Sequence, residues 1–142
     1  MLHLIHPVFV HLTVAFLIVG GLVEACGIAW RRERAERFGG TLVVLGTVSL
    51  FPTIVAGFLA ENSLTLTAAG AEAVDDHTRL GLLVLGVFAP LLLMKAWGRG
   101  RPPEGWRRFY AAGLIVGVAM TLAAAYAGGV MVYELGVGVG AP

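Results

Sequence analysis

Residues 109–133 read FYAAGLIVGVAMTLAAAYAGGVMVY, 25 consecutive positions without an Asp, Glu, Lys or Arg. A bilayer core asks for roughly 17–25 apolar residues per helix, so this stretch is long enough to cross one. Working outward from it, Met1–Val23 and Phe38–Ala60 are charge-free over 23 residues each, and Leu80–Met94 over 15. The last reaches span length when read as His77–Trp97, with Lys95 extending its ammonium toward the interface. Only 13% of the 142 residues are charged, about half the usual soluble share, and 58% are hydrophobic. The sequence therefore predicts an all-α integral membrane protein. It forms a single domain over residues 1–142, with helices at about 6–29, 39–60, 77–97 and 109–133. A soluble enzyme, a nucleic-acid-binding module and a disulfide-framed secreted domain are excluded. Cys26 is the only cysteine and has no partner within the chain.

The charges that remain are clustered. Arg31, Arg32, Arg34 and Arg37 follow the first span, and Lys95, Arg99, Arg101, Arg107 and Arg108 follow the third. The positive-inside rule makes that side cytoplasmic and puts both termini outside, periplasmic or extracellular. The first positive charges come after the first apolar run, so that run is not read as a cleaved signal peptide. Trp30, Trp97, Trp106 and Tyr110 stand where an inner aromatic belt belongs. Short connections make neighbouring helices antiparallel, giving an up-down-up-down bundle. Pro7 suits a first-turn position with His6 just outside it, and Asp75 or Asp76 suits the N-cap of the third helix. Pro52 and Pro90 lie inside spans and are expected to kink them. Gly113 and Gly117 form a GxxxG pair that reads as close helix packing, and Thr41, Thr47, Ser49, Thr53 and Thr121 read as interhelical hydrogen-bond contacts. The two hairpins show only a loose similarity to each other. The tail from Gly136 to Gly140 reads as flexible and carries no functional signal.

Histidine is the informative residue type. His3, His6, His11 and His77 all fall at the expected outer face. His3 reads as interfacial. His6 reads equally as a helix cap and as a ligand, and His77 has a solvated turn as its competing reading. On a helix His11 lies about 140° around from His6 and about 7.5 Å deeper, inside an apolar stretch where an imidazole needs a partner. Glu61, Asp76 and Tyr133 occupy the same layer and are candidates to orient histidine ligands. Arg79, the one basic residue on the outer side, implies a buried anionic partner: Glu61, an aspartate or a haem propionate. Glu24 implies a salt bridge to Arg31 or Arg108, or a carboxylate that snorkels. Cys26 lies about 20 Å from the histidine layer along a straight helix, which argues against a hydrolase.

The string His6-Pro7-Val8-Phe9-Val10-His11 resembles the opening of the bacterial membrane family called domain of unknown function 2231. Asp76-His77 and the glycine-rich Gly128-Gly129-Val130-Met131-Val132-Tyr133 match that family's third and fourth spans, so the resemblance covers nearly the whole chain. Thr13 departs from it, standing near where relatives carry a proline. The resemblance implies four spans and, from the redox domains found beside some relatives, a bias toward electron transfer.

Two histidines on different helices at matching depth suit a b-type haem in the slot of a four-helix bundle, with His11 and His77 as axial ligands and Arg79 on a propionate. Gly20, Gly21, Gly81 and Gly86 would admit the macrocycle. The partner would be a quinol or a redox protein, and the chain an electron carrier or a subunit of a homo-oligomer or respiratory complex rather than a stand-alone enzyme. The alternative is zinc, copper or iron held by His6, His11 and His77 with Glu61 or Asp76. A structural subunit without a prosthetic group is the third reading.

Overall fold

The computed structural model describes residues 5–139, with side-chain surroundings from residue 6 onward; His3 lies outside the described residues. Four helices follow one another: α1 (Ile5–Ala29), α2 (Glu33–Glu61), α3 (Ala68–Trp97) and α4 (Arg107–Tyr133), the last entered through a single 3₁₀ turn at Glu104–Trp106. Each is long and apolar enough to cross a membrane. They form the expected all-α antiparallel bundle. One end carries the α1–α2 and α3–α4 turns with their arginines, and the other carries His6, His11, His77, the α2–α3 connection and the first and last described residues.

Three helix starts differ from the sequence reading. α2 begins at Glu33 and α3 at Ala68, ahead of the charge-free runs: a charged turn opens α2, and an alanine-rich stretch carrying Glu72, Asp75 and Asp76 opens α3. Glu33 and Glu36 place negative charge at the α2 N-terminus, where the unpaired N–H groups favour it. Thr67, not Asp75 or Asp76, caps α3, its hydroxyl accepting from the Gly70 N–H at 3.1 Å. His6 lies within the first turn of α1 rather than outside it. Both Pro52 and Pro90 lie inside helices that remain continuous. α1 ends where Arg31 turns left-handed, at φ 54°.

The core runs along the bundle axis through Leu17, Val43, Leu50, Val84, Phe88, Leu91, Tyr110 and Leu114. The apolar side chains left exposed, such as Val8, Leu12, Val48, Val55, Leu93 and Phe109, form the surface that hydrocarbon would cover. Trp30, Trp97 and Trp106 are exposed at the arginine end, as an aromatic belt requires. Tyr110 is fully buried instead, because its hydroxyl donates to Glu24 Oε2 at 3.2 Å.

The two hairpins, α1–α2 and α3–α4, are repeats displaced by 71 residues, a relation much closer than the loose similarity seen in the sequence. Gly46 receives Leu17 in the first, and Gly117 receives Phe88 in the second. Gly20 packs on Leu42, and in the second repeat the sizes exchange, so that Leu91 packs on Gly113. Both hairpins run in the same direction, so the axis relating them runs along the bundle. The GxxxG pair therefore packs helices, as expected, through Leu91 and Phe88.

Candidate functional site

The same displacement of 71 carries His6 onto His77, Thr53 onto Ala124 and Gly57 onto Gly128. His6 Nδ1 donates to the Thr53 carbonyl at 3.0 Å, and His77 Nδ1 donates to the Ala124 carbonyl at 3.1 Å. In each case glycine clears room for the ring. A Cβ on Gly57 would stand 3.1 Å from His6 Cε1, and one on Gly128 would stand 3.1 Å from His77 Cε1. A carbonyl oxygen only accepts, so both Nδ1 atoms carry the hydrogen. In a neutral imidazole Nε2 then keeps its lone pair.

Both histidines line a cavity of about 310 Å³ at the histidine end of the bundle. Its wall is built from repeat-related pairs: Val10 with Gly81, Thr13 with Val84, Leu50 with Thr121, Ile54 with Ala125. The axis relating the hairpins therefore passes through the cavity. The wall is mostly apolar, with one polar side. Thr13 Oγ1 lies 2.8 Å from both Ser49 Oγ and Thr53 Oγ1, a hydroxyl cluster beneath His6. At the equivalent positions of the second repeat stand Val84, Met120 and Ala124. The chain after α4 roofs the cavity instead of trailing free: the Val137 N–H donates to the Met131 carbonyl, and the buried Val137 side chain rests against Gly70.

The other candidate residues are placed differently. His11 is exposed on the outward side of α1, with Nδ1 on the Pro7 carbonyl at 2.6 Å, and does not line the cavity. The structure thus brings His6, rather than His11, together with His77. Glu61 reaches the cavity edge, whereas Asp76 and Tyr133 are exposed and do not line it. Neither ring is oriented by a carboxylate, since main-chain carbonyls fill that role. Arg79 pairs with an aspartate as expected, but on the exposed surface: Nη2 is 2.6 Å from Asp75 and Nη1 3.9 Å from Asp76. Gly20 and Gly21 pack against α2 and α4, and Gly86 stands away from the cavity, so of these four glycines Gly81 alone opens onto its wall. Thr41, Thr47 and Thr121 bond carbonyls of their own helices, so only Ser49 and Thr53, through Thr13, bridge helices. Among the described residues no three His, Cys, Asp or Glu side chains come together in a metal-holding group.

Glu24 is fully buried, paired with Lys95 Nζ and Tyr110 rather than with Arg31 or Arg108. The Gly40 position leaves the space that the Lys95 ammonium occupies. Nearer the arginine end Arg107 grips Glu36 with two parallel bonds, at 3.1 and 2.8 Å. The sequence signals that went unread were Gly57 and Gly128, which flag the ring positions once the halves are laid over one another at 71 residues.

The family model described as "Predicted membrane protein (DUF2231)" matches residues 2–141 of the chain. No curated protein and no solved structure matches it.

Proposed function

The chain belongs to the DUF2231 family of predicted membrane proteins, and from that premise we propose that it is a b-type cytochrome-like electron-transfer protein of the bacterial inner membrane. His6 and His77 would hold one haem b near the periplasmic face. The observation that carries this reading is the pair of Nδ1–H to carbonyl bonds. Histidine ligands to metal regularly donate their other ring N–H to such an acceptor, which fixes the tautomer and aims the lone pair. Two rings so fixed, on repeat-related helices and in one mostly apolar cavity, supply the two donors of bis-histidine ligation.

The donor set fits the group. Bound haem would supply one-electron chemistry, and the chain's own part is to hold two neutral imidazoles, exclude water with Leu17, Leu50, Val84 and Val137, and present a polar side at Thr13 and Thr53. The cavity, at about 310 Å³, is at the small end of the roughly 300–1,000 Å³ range of ligand sites. Entry of a macrocycle therefore requires the Val137 roof to move. The non-haem reading, with zinc, copper or iron on His6, His11 and His77, has less support. It needs further protein ligands, yet His11 and Asp76 are exposed away from the cavity, and among the described residues Glu61, at the cavity edge, does not join the two histidines in a metal-holding group.

The experiment is a visible spectrum of protein purified from its host, compared with His6→Ala, His77→Ala and His11→Ala variants. A Soret band lost in the first two and kept in the third is the expected result. Loss in His11→Ala with retention in His6→Ala would return the ligand pair to His11 and His77. A stoichiometric metal without porphyrin would overturn the haem assignment.

A further inference from the structure

The two buried charge pairs share a property that packing alone does not require. Glu24 and Lys95 are 71 residues apart, and so are Glu36 and Arg107. Each pair therefore joins one position of the repeat to the same position of the other repeat, across the axis that relates the hairpins. At both positions the first hairpin carries the acid and the second the base. All four groups are drawn into the interior: Glu24 is 0% and Glu36 4% exposed, and the Lys95 and Arg107 side chains are 9% and 18% exposed. Tyr110 from α4 closes the remaining Glu24 oxygen, and no buried polar side-chain atom among the described residues lacks a partner.

We infer that these two pairs determine which hairpin pairs with which: they select α1–α2 with α3–α4 and reject the pairing of two like hairpins from different copies of the chain. Because the repeats share one backbone plan, two like hairpins could meet about the same axis. The core positions are apolar in both repeats, Leu17 corresponding to Phe88 and Val43 to Leu114, so a core of two like hairpins would still be apolar. Charge discriminates strongly. Pairing two first hairpins about the same axis would set Glu24 against Glu24 and Glu36 against Glu36, in an interior with little water to screen them. Pairing two second hairpins would set Lys95 and Arg107 against themselves. Specificity of this kind comes from what the wrong partner would bury unpaired. Its consequence for the cavity is that every molecule acquires one hydroxyl-lined side and one apolar side. The inference does not depend on what the cavity binds.

The test uses full-length chains with two different tags. A copy carrying E24K/E36K has bases at all four axial positions, and a copy carrying K95E/R107E has acids at all four. Expressed alone, each should give at least tenfold less folded protein than the wild type. Expressed together, they should exchange hairpins and co-purify as mixed-tag complexes, well above the share given by two tagged wild-type copies. The fourfold exchange E24K/E36K/K95E/R107E in one chain should restore folded protein without mixed-tag association. Wild-type yields from either single-copy variant would overturn the inference. So would a failure of the fourfold exchange to fold, or no mixed-tag excess from the complementary copies.

Discussion

The two hairpins hold their helices together by different means. In α1–α2 the seam is glycine: Gly20 lies against Leu42 and Val43, Gly27 against the Glu36 main chain, and Gly39 against the Glu24 main chain. In α3–α4 the positions of Gly20 and Gly39 are Leu91 and Tyr110, and these helices meet through side chains instead of backbones. What stayed the same is equally informative. The histidine, the glycine beneath its ring, and the carbonyl that takes its N–H recur in both repeats at the same places. The scaffold thus tolerates two packing solutions, whereas the histidine setting is built twice in one way. That is the pattern expected where the repeated element is the site.

The largest effect that would break this comparison falls on the glycine seam. Overfilling a packed core usually costs about 1–3 kcal/mol because side chains shift. A Cβ at Gly39 would meet the Glu24 main chain, which cannot swing aside, so Gly39→Ala should exceed that range and abolish most folded protein. A Cβ at Gly86, in the second hairpin, would meet nothing within 4 Å, and the counterpart of Gly86 in the first hairpin is Ala15. Gly86→Ala should change stability by under about 0.5 kcal/mol. Denaturant titration of the detergent-solubilised protein reads both. Equal losses would mean that the two seams do not differ.

A somewhat smaller effect is expected at the axial charges. Removing one partner of a buried pair costs about 3–5 kcal/mol, because the other charge is left uncompensated. Lys95→Met leaves Glu24 in that position, with only Tyr110 for company. Glu24→Gln combined with Lys95→Met keeps an acceptor for the tyrosine and removes both charges, and should recover most of the loss. The same titration decides it, and a double variant as weak as the single one would show that packing of the long side chains, not charge, is what matters at this point.

The four spans were legible because a bilayer helix leaves an unbroken run without charge, and three such runs exceed 20 residues. The starts of α2 and α3 were not, since the charges in Glu33–Arg37 and in Glu72–Asp76 interrupt the charge-free runs and make those stretches read as connections. At the site, the histidine layer was legible but its pairing was not. A 140° separation between His6 and His11 says that only one of them faces inward, without saying which. The deciding residues are Thr13, Leu17 and Glu24, all buried on one stripe of α1. His6 extends that stripe seven residues before Thr13, and His11 does not. The partner of Glu24 was missed for a related reason: Arg31 and Arg108 stand at the arginine end, while Lys95 reaches it from the equivalent position of the other repeat.

The smallest effect concerns the hydroxyl cluster that makes the cavity two-sided. Thr13 bridges to Ser49 and Thr53, yet those two hydroxyls also bond carbonyls of α2, Ser49 to Gly46 at 2.9 Å and Thr53 to Ser49 at 2.7 Å. Thr13→Val, which copies Val84 of the second repeat, therefore strands neither. Hydroxyl contacts between membrane helices average about 0.6 kcal/mol, with a ceiling near 1.7, and Thr13→Val should fall within that range. The glycine seam beside it then remains the main contact between α1 and α2. A measured loss above about 2 kcal/mol would reverse that ranking, making the hydroxyls the feature that holds the first hairpin closed. The second hairpin, which has valine, methionine and alanine at those positions, would then need a contact of its own to replace them.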